Sequence, residues 1–357
     1  MFYTNKIPLV PPQGANGLPW SRRPMERSHV VAMGGGHGLS ATLSALRLIV
    51  RDLTAVVTVA DDGGSSGRIR EELDVLPPGD LRMALAALCD DTDWGRTWRD
   101  VMQHRFKSNP DSPATLDNHA LGNLLIVTLW ELLGNPVDGL RWAGALLGAR
   151  GQVLPVCCQP LVLEGEILSE KEDGRLYRQR VTGQVKLAEA ARNGAVSNVR
   201  LTPHDVPVTR EVLEAVDLAD WVILGPGSWY TSVLPHLLLP QMRHALATTT
   251  ARKAVVMNLK TDTHETLGMG AADHLKVLST YAPDLKLDVI LADPEVVSDH
   301  AEFTAAAQAL GAEVKYFRVH SNHDPSVHDP LRLANAFQDM FDRFSTDTIL
   351  PPHIQKD

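Results

Sequence analysis

The chain has 357 residues, 44% of them hydrophobic and 22% charged, with a net charge of −9 and a pI near 5.9. That length can bury a large α/β core, as one domain or two. The acidic balance and the lack of any Lys/Arg run exclude a general nucleic-acid binder, and no apolar run has the length of a membrane span. The three cysteines, Cys89, Cys157 and Cys158, form no disulfide framework or metal spacing and are expected to be buried, reduced thiols in a cytoplasmic protein. The N-terminus lacks the basic-then-apolar order of a signal peptide.

Residues 1–28 carry Pro8, Pro11, Pro12, Pro19 and Pro24 without periodicity. They are expected to form a disordered leader, upstream of a natural start at Met25. His29–Met33 reads as a short strand, and Gly34-Gly35-Gly36-His37-Gly38-Leu39-Ser40 as the loop after it. Ala41–Val50 follows with Leu43, Leu46, Ile49 and Val50 at helical spacing. Strand, glycine loop and helix make the first unit of a doubly wound fold, whose amides and helix N-terminus favour an anion. Leu39 stands where G-x-G-x-x-G needs its third glycine, so the loop is a weak match to an NAD site.

The densest cluster comes next. Leu53–Val59 reads as a buried strand that ends abruptly in Asp61-Asp62-Gly63-Gly64-Ser65-Ser66-Gly67. Glycines allow close approach of a ligand, hydroxyls and bare amides bind phosphate or sugar oxygens, and carboxylates hold hydroxyls or a hard cation. An ordinary turn needs one or two of these residues, not all of them. Asp61 also lies near the place of a ribose-binding acid. In Pro77-Pro78-Gly79-Asp80-Leu81-Arg82, Asp80 reads equally as a helix N-cap or as a ligand-site residue.

Arg96–Phe106 reads as a helix, residues 107–115 as a polar loop, and Asn118-His119-Ala120-Leu121-Gly122-Asn123 as the opening of an apolar helix to Leu133. Asn118, His119 and Asn123 on its first turns would present a polar face to a bound group, with Gly122 removing bulk between them. A helix over 136–149 and a strand over 152–156 follow. Two arms, 161–168 and 176–185, flank Asp173-Gly174 as an antiparallel hairpin, and Val199–Leu201 is a short strand. A second strand, Ala219–Leu224, ends in Gly225-Pro226-Gly227-Ser228-Trp229-Tyr230-Thr231-Ser232. A cleft at a topological switch point requires a second strand-end loop of this kind. Asn258 ends the next strand. Asp273 and His274 open a helix, facing either the cleft or water. The last strands are 287–291 and 314–317, and a closing helix spans 328–344.

In this order, Gly34–Ser40, Asp61–Arg68, Pro77–Arg82, Asn118–Leu124, Gly225–Ser232 and Asn258 resemble the YvcK-like gluconeogenesis factor family. That family is related to the CofD-like 2-phospho-L-lactate transferases. The motifs run from about residue 30 to 320. The resemblance implies one Rossmann-like, mostly parallel α/β domain over 29–345, with a hairpin insertion at about 160–186 and a tail over 346–357. It also implies UDP-sugar binding, of UDP-N-acetylglucosamine for example, and a part in cell shape and wall synthesis on gluconeogenic carbon sources. The stretch from Glu265 to His274 resembles the family's E-T-x-x-[aromatic]-x-x-x-D-H segment, with Met269 in place of the aromatic ring.

On this resemblance the chain is expected to regulate rather than to turn over a substrate. Gly34, Gly35, Gly36, Gly38, Gly225, Gly227 and Ser228 would hold the diphosphate. Asp61 and Asp62 would take sugar hydroxyls or a divalent ion, with Gly64, Ser65, Ser66, Asp80 and Asn258 around them. Asn118, His119 and Asn123 would read the remaining polar edge, and Tyr230 would form an aromatic wall. The alternative is a phospholactyl-type transferase with Mg²⁺ at Asp61 or Asp62; an NAD-linked oxidoreductase fits the glycine pattern poorly. No nucleic-acid or membrane partner is expected, and the chain would act alone or as a homo-oligomer.

Overall fold

The computed structural model describes residues 25–109, 116–170, 175–261, 266 and 268–346. Among these described residues, ten strands make two sheets. The chain starts with β1 (Met25–Gly34), α1 (Gly36–Leu46) and β2 (Val50–Val57), paired parallel in register from His29 opposite Asp52 to Gly34 opposite Val57. Val30–Met33 are at most 2% exposed. A strand covered on both faces needs an unbroken apolar run rather than alternation. The first residues of β1 were expected in the leader; the strand begins four residues earlier, at Met25. The remainder of the leader, residues 1–24, and most of the tail, 347–357, lie outside the described residues.

Five helices follow on one flank: α2 (Gly64–Leu73), α3 (Gly79–Leu88), α4 (Asp93–Gln103), α5 (Leu121–Leu133) and α6 (Pro136–Leu147). Helix α4 starts where the Thr92 side chain accepts from the Gly95 amide. Helix α6 has Asn135 as its cap, Pro136 in its first turn and left-handed Gly148 at its end. The chain then returns to the sheet as β3 (Gln152–Pro155) beside β2.

The antiparallel excursion is larger than a hairpin. It consists of β4 (Val162–Glu170), β5 (Leu176–Thr182), α7 (Gln184–Ala190) and β6 (Ala195–Thr202), in sheet order β5-β4-β6. The expected return arm stops at Thr182 rather than 185, because Gly183 turns at φ +105° into α7. Strand β6 is the third strand, longer than the three residues read from the sequence. The Asp173-Gly174 turn lies outside the described residues.

The second half runs α8 (Arg210–Asp217), β7 (Trp221–Leu224), α9 (Leu234–Leu238), α10 (Pro240–Thr248), β8 (Arg252–Val256), α11 (Ala271–Tyr281), β9 (Val289–Ala292), α12 (His300–Ala309), β10 (Glu313–Tyr316) and α13 (Pro330–Thr346). The main sheet has seven strands in the order β10-β9-β8-β7-β1-β2-β3, parallel throughout. This is the doubly wound α/β class expected from sequence. The order reverses between β1 and β7, the place where doubly wound sheets bind ligands beyond the carboxyl ends of their strands. Among the described residues, no helix is long and apolar enough to cross a membrane.

Cys89 and Cys157 are buried free thiols, and burial pushes both up to about 11. Cys158 is free but exposed, against the expectation of burial.

Candidate functional site

The two glycine loops meet at the switch point. Gly34 ends β1, Gly35 is the N-cap of α1, and Gly36 starts α1 at φ +58°. Gly225 (φ +74°) and Gly227 (φ +141°) turn the chain after β7. The loops touch through Gly38, where a Cβ would lie 2.1 Å from the Pro226 carbonyl oxygen. Gly38 is therefore a packing glycine that seats α1 on the second loop. Asn258 grips that loop from β8: its Oδ1 accepts from the Gly227 amide at 2.8 Å and its Nδ2 donates to the Gly227 carbonyl at 2.8 Å. The Ser228 side chain accepts from the Thr231 amide and so caps the next turn.

Asp80 lies below the first loop. It does not cap α3, whose N-cap is Pro78. Its carboxylate instead accepts from the Gly36 amide, and a Cβ on Gly35 would sit 2.5 Å from its Oδ2. Burial, reinforced by the charge of Asp61, raises Asp80 to about 7. Asp61 is raised as well, chiefly by burial, although its carboxylate accepts from the Gly63 amide at 3.0 Å and from Ser66.

Asp62 points elsewhere. Its Oδ2 accepts from the Gln184 amide at 2.9 Å and its Oδ1 from the Val185 amide at 3.0 Å. Both oxygens thus cap α7 and tie the three-stranded sheet to the end of β2. Asp61 and Asp62 thus engage different elements. Among the described residues, no group of three or more His, Cys, Asp or Glu is placed to hold a metal ion. Asp62→Ala is expected to cost about 1–2 kcal/mol, the usual loss for a helix cap, and to speed amide exchange across α7 and β5. Unchanged exchange there would show that the insertion docks without Asp62.

The serines are internal. Ser66 Oγ accepts from the Gly79 amide at 3.0 Å, joining α2 to α3. Ser65 is 3% exposed and bonds Ala120, Asn123 and His119. Asn118 and His119 precede α5 rather than lying on its first turns. Asn118 is left-handed at φ +59°, and its amide donates to the Phe106 carbonyl. Asn123, 1% exposed, accepts from Arg82 Nε at 2.9 Å. Sequence reasoning did not single out Arg82 as a site residue, although it closes the Pro77–Arg82 motif. It is 3% exposed, its Nη1 has no partner, and burial lowers it to about 10. Gly122 makes room for this side chain, since a Cβ there would meet Arg82 Cγ and Cδ at 2.9 Å.

Tyr230 is 4% exposed, with its hydroxyl 3.9 Å from Met269 Sδ. Asp273 caps α11 through the Gly270 amide, and His274 is fully buried against Trp229, so His274 faces neither cleft nor water. A cleft of about 810 Å³ lies beside α2, and of the residues singled out from sequence, Asp62, Gly64 and Asn118 line it together with Arg68 and Arg70.

The family model described as 2-phospho-L-lactate transferase CofD matches residues 30–324. The chain belongs to the CofD family. A relative from Mycobacterium tuberculosis (strain ATCC 25618 / H37Rv) is 47% identical over 308 residues, covering 85% of this chain and 88% of its own. The gluconeogenesis factor of Bacillus subtilis is 38% identical over 274 residues, covering 77% of this chain and 81% of its own. A crystal structure of a UPF0052-family member from Bacillus halodurans superposes with a TM-score of 0.76 at 35% identity, covering 88% of this chain and 99% of that one. This CofD-family chain is thus similar to gluconeogenesis factors through most of its length, and its fold is theirs.

Proposed function

We propose that the chain binds a nucleoside-diphosphate sugar, UDP-N-acetylglucosamine, and regulates cell shape and wall synthesis during gluconeogenic growth. The observation that carries this reading is the meeting of Gly34–Gly36 and Gly225–Gly227 at one crevice, with Asp61 and Asp80 beside it. Glycine turns let a diphosphate approach the backbone, and a carboxylate accepts sugar hydroxyls. Relatives named gluconeogenesis factor support the gluconeogenic part of this reading. Isothermal titration of UDP-N-acetylglucosamine, beside NAD and GTP and with and without Mg²⁺, is expected to give micromolar affinity for the UDP-sugar alone. Asp61→Asn is expected to weaken it about tenfold or more, as for a hydrogen bond to a charged group. Equal affinity of the variant would remove the hydroxyl assignment.

A second reading is a transferase of the phospholactyl type, which the match to the CofD family model supports. Turnover of an activated nucleotide donor with a deazaflavin alcohol, and no binding of the UDP-sugar, would favour it.

A further inference from the structure

The hydrogen bonds of Ser65 fix a proton on His119. Ser65 Oγ accepts from the Ala120 amide at 3.3 Å and from Asn123 Nδ2 at 3.0 Å. The orientation of the Asn123 amide is settled by Arg82, whose Nε is a donor only and must meet the oxygen of Asn123. A hydroxyl has two lone pairs and one proton. Both lone pairs of Ser65 are occupied, so its proton goes to the remaining neighbour, His119 Nδ1, at 3.2 Å. Nδ1 is then the acceptor and the ring proton sits on Nε2.

His119 is 6% exposed, and Nε2 makes no hydrogen bond among the described residues. Burial lowers its pKa, and Arg68 and Arg105 lower it further against the opposing charge of Glu72. The ring is neutral at pH 7, a donor rather than a cation. It lies beside the first turn of α2, where N-cap Gly63 supplies no side-chain cap and Ser65 holds the ring. A helix N-terminus of this kind attracts anionic oxygens. Behind the ring, the buried Arg82 guanidinium polarises the whole chain toward Nε2–H.

We propose that Arg82, Asn123 and Ser65 are positioning residues that hold His119 as the neutral Nε2–H tautomer, and that His119 donates this hydrogen to a phosphate oxygen of the bound nucleotide. The proposal rests on the nucleotide reading above and adds to it the donor and its protonation state. A cation would find no matching partner at a neutral N–H; an anionic oxygen would, and on the nucleotide reading that oxygen is a phosphate's.

Histidine-ring ¹⁵N NMR of the full chain at pH 7 tests it, with the His119 signals identified by their loss in His119→Gln. The free protein is expected to show the Nε2–H tautomer, and UDP-N-acetylglucosamine is expected to shift that Nε2–H. In Ser65→Ala the ring is expected to become a tautomer mixture while ligand affinity falls about tenfold, the cost of a misdirected hydrogen bond. Inorganic pyrophosphate serves as a second probe. A shift with pyrophosphate but no binding of the UDP-sugar would sustain the donor and reject the nucleotide-sugar reading. A protonated or Nδ1–H ring in the free wild-type protein would overturn the proposal without any variant. So would an Nε2–H that neither ligand shifts.

Discussion

Gly38→Ala is expected to destabilise the protein by about 3 kcal/mol or more, the upper range for overpacking, and to abolish ligand binding. The added Cβ would lie 2.1 Å from the Pro226 carbonyl oxygen, 2.5 Å from its carbon and 2.6 Å from Gly227 Cα. All three are backbone atoms, so no rotamer change relieves the clash. Either α1 must withdraw from the second loop or the loop must leave the Asn258 clamp. Both movements open the crevice. Gly64→Ala is the control: its φ is +50° and nothing lies within 4 Å of the new Cβ. Only the backbone penalty applies there, about 1 kcal/mol. Urea unfolding of the two variants, with UDP-N-acetylglucosamine titration of each, separates the effects. Equal stabilities would mean that α1 slides freely over Pro226.

Asp80→Asn is expected to be more stable than wild type, and increasingly so as pH rises. The folded state holds Asp80 at about 7, whereas the unfolded chain has the ordinary value of 3.8. The folded state therefore binds more protons between these values. The stabilising contribution is full below 3.8 and is lost as pH rises through 7. At pH 8 the wild type carries a penalty on the order of 4 kcal/mol, which a neutral Asn avoids while still accepting from the Gly36 amide. The gap between the two proteins should widen by about 2–3 kcal/mol from pH 5 to pH 8. His236 and His328 work in the opposite sense. Burial lowers both to about 4, so each withdraws stability as pH falls from 6.5 through 4. They are common to both proteins and cancel in the difference. Chemical denaturation at the two pH values measures it; a variant less stable than wild type at pH 8 would show that Asp80 is compensated by its neighbours.

The main sheet was legible because its strands are short apolar runs closed by glycine loops, a pattern that period and composition carry directly. The meeting of Gly34–Gly36 with Gly225–Gly227 followed from strand order. The direction of each polar side chain did not. Asp61 and Asp62 are neighbours in sequence, yet one faces Ser66 and the other caps a helix 122 residues away. Asn118 looked helical because the apolar run begins close after it, but its left-handed backbone pairs with Phe106 instead. Arg82 closes a motif that was read for Asp80 alone, and its burial is set by tertiary packing. The sign available in the sequence was Gly122, whose missing side chain leaves room for it. Strand β6 was underestimated because polar residues, half-buried Ser197 and exposed Asn198 among them, interrupt its apolar pattern.

The amides of the glycine turns are already engaged. Gly36 donates to Asp80, Gly63 to Asp61, Gly79 to Ser66 and Gly227 to Asn258. Two of these four acceptors are carboxyl groups of the protein itself, and an incoming phosphate can claim the Gly36 amide only by evicting Asp80. Association becomes an exchange of one negative group for another, and an Asp80 displaced into water falls back toward its ordinary 3.8 and gives up the proton that burial let it keep. Proton release during titration in two buffers of different ionisation heat would report the exchange directly.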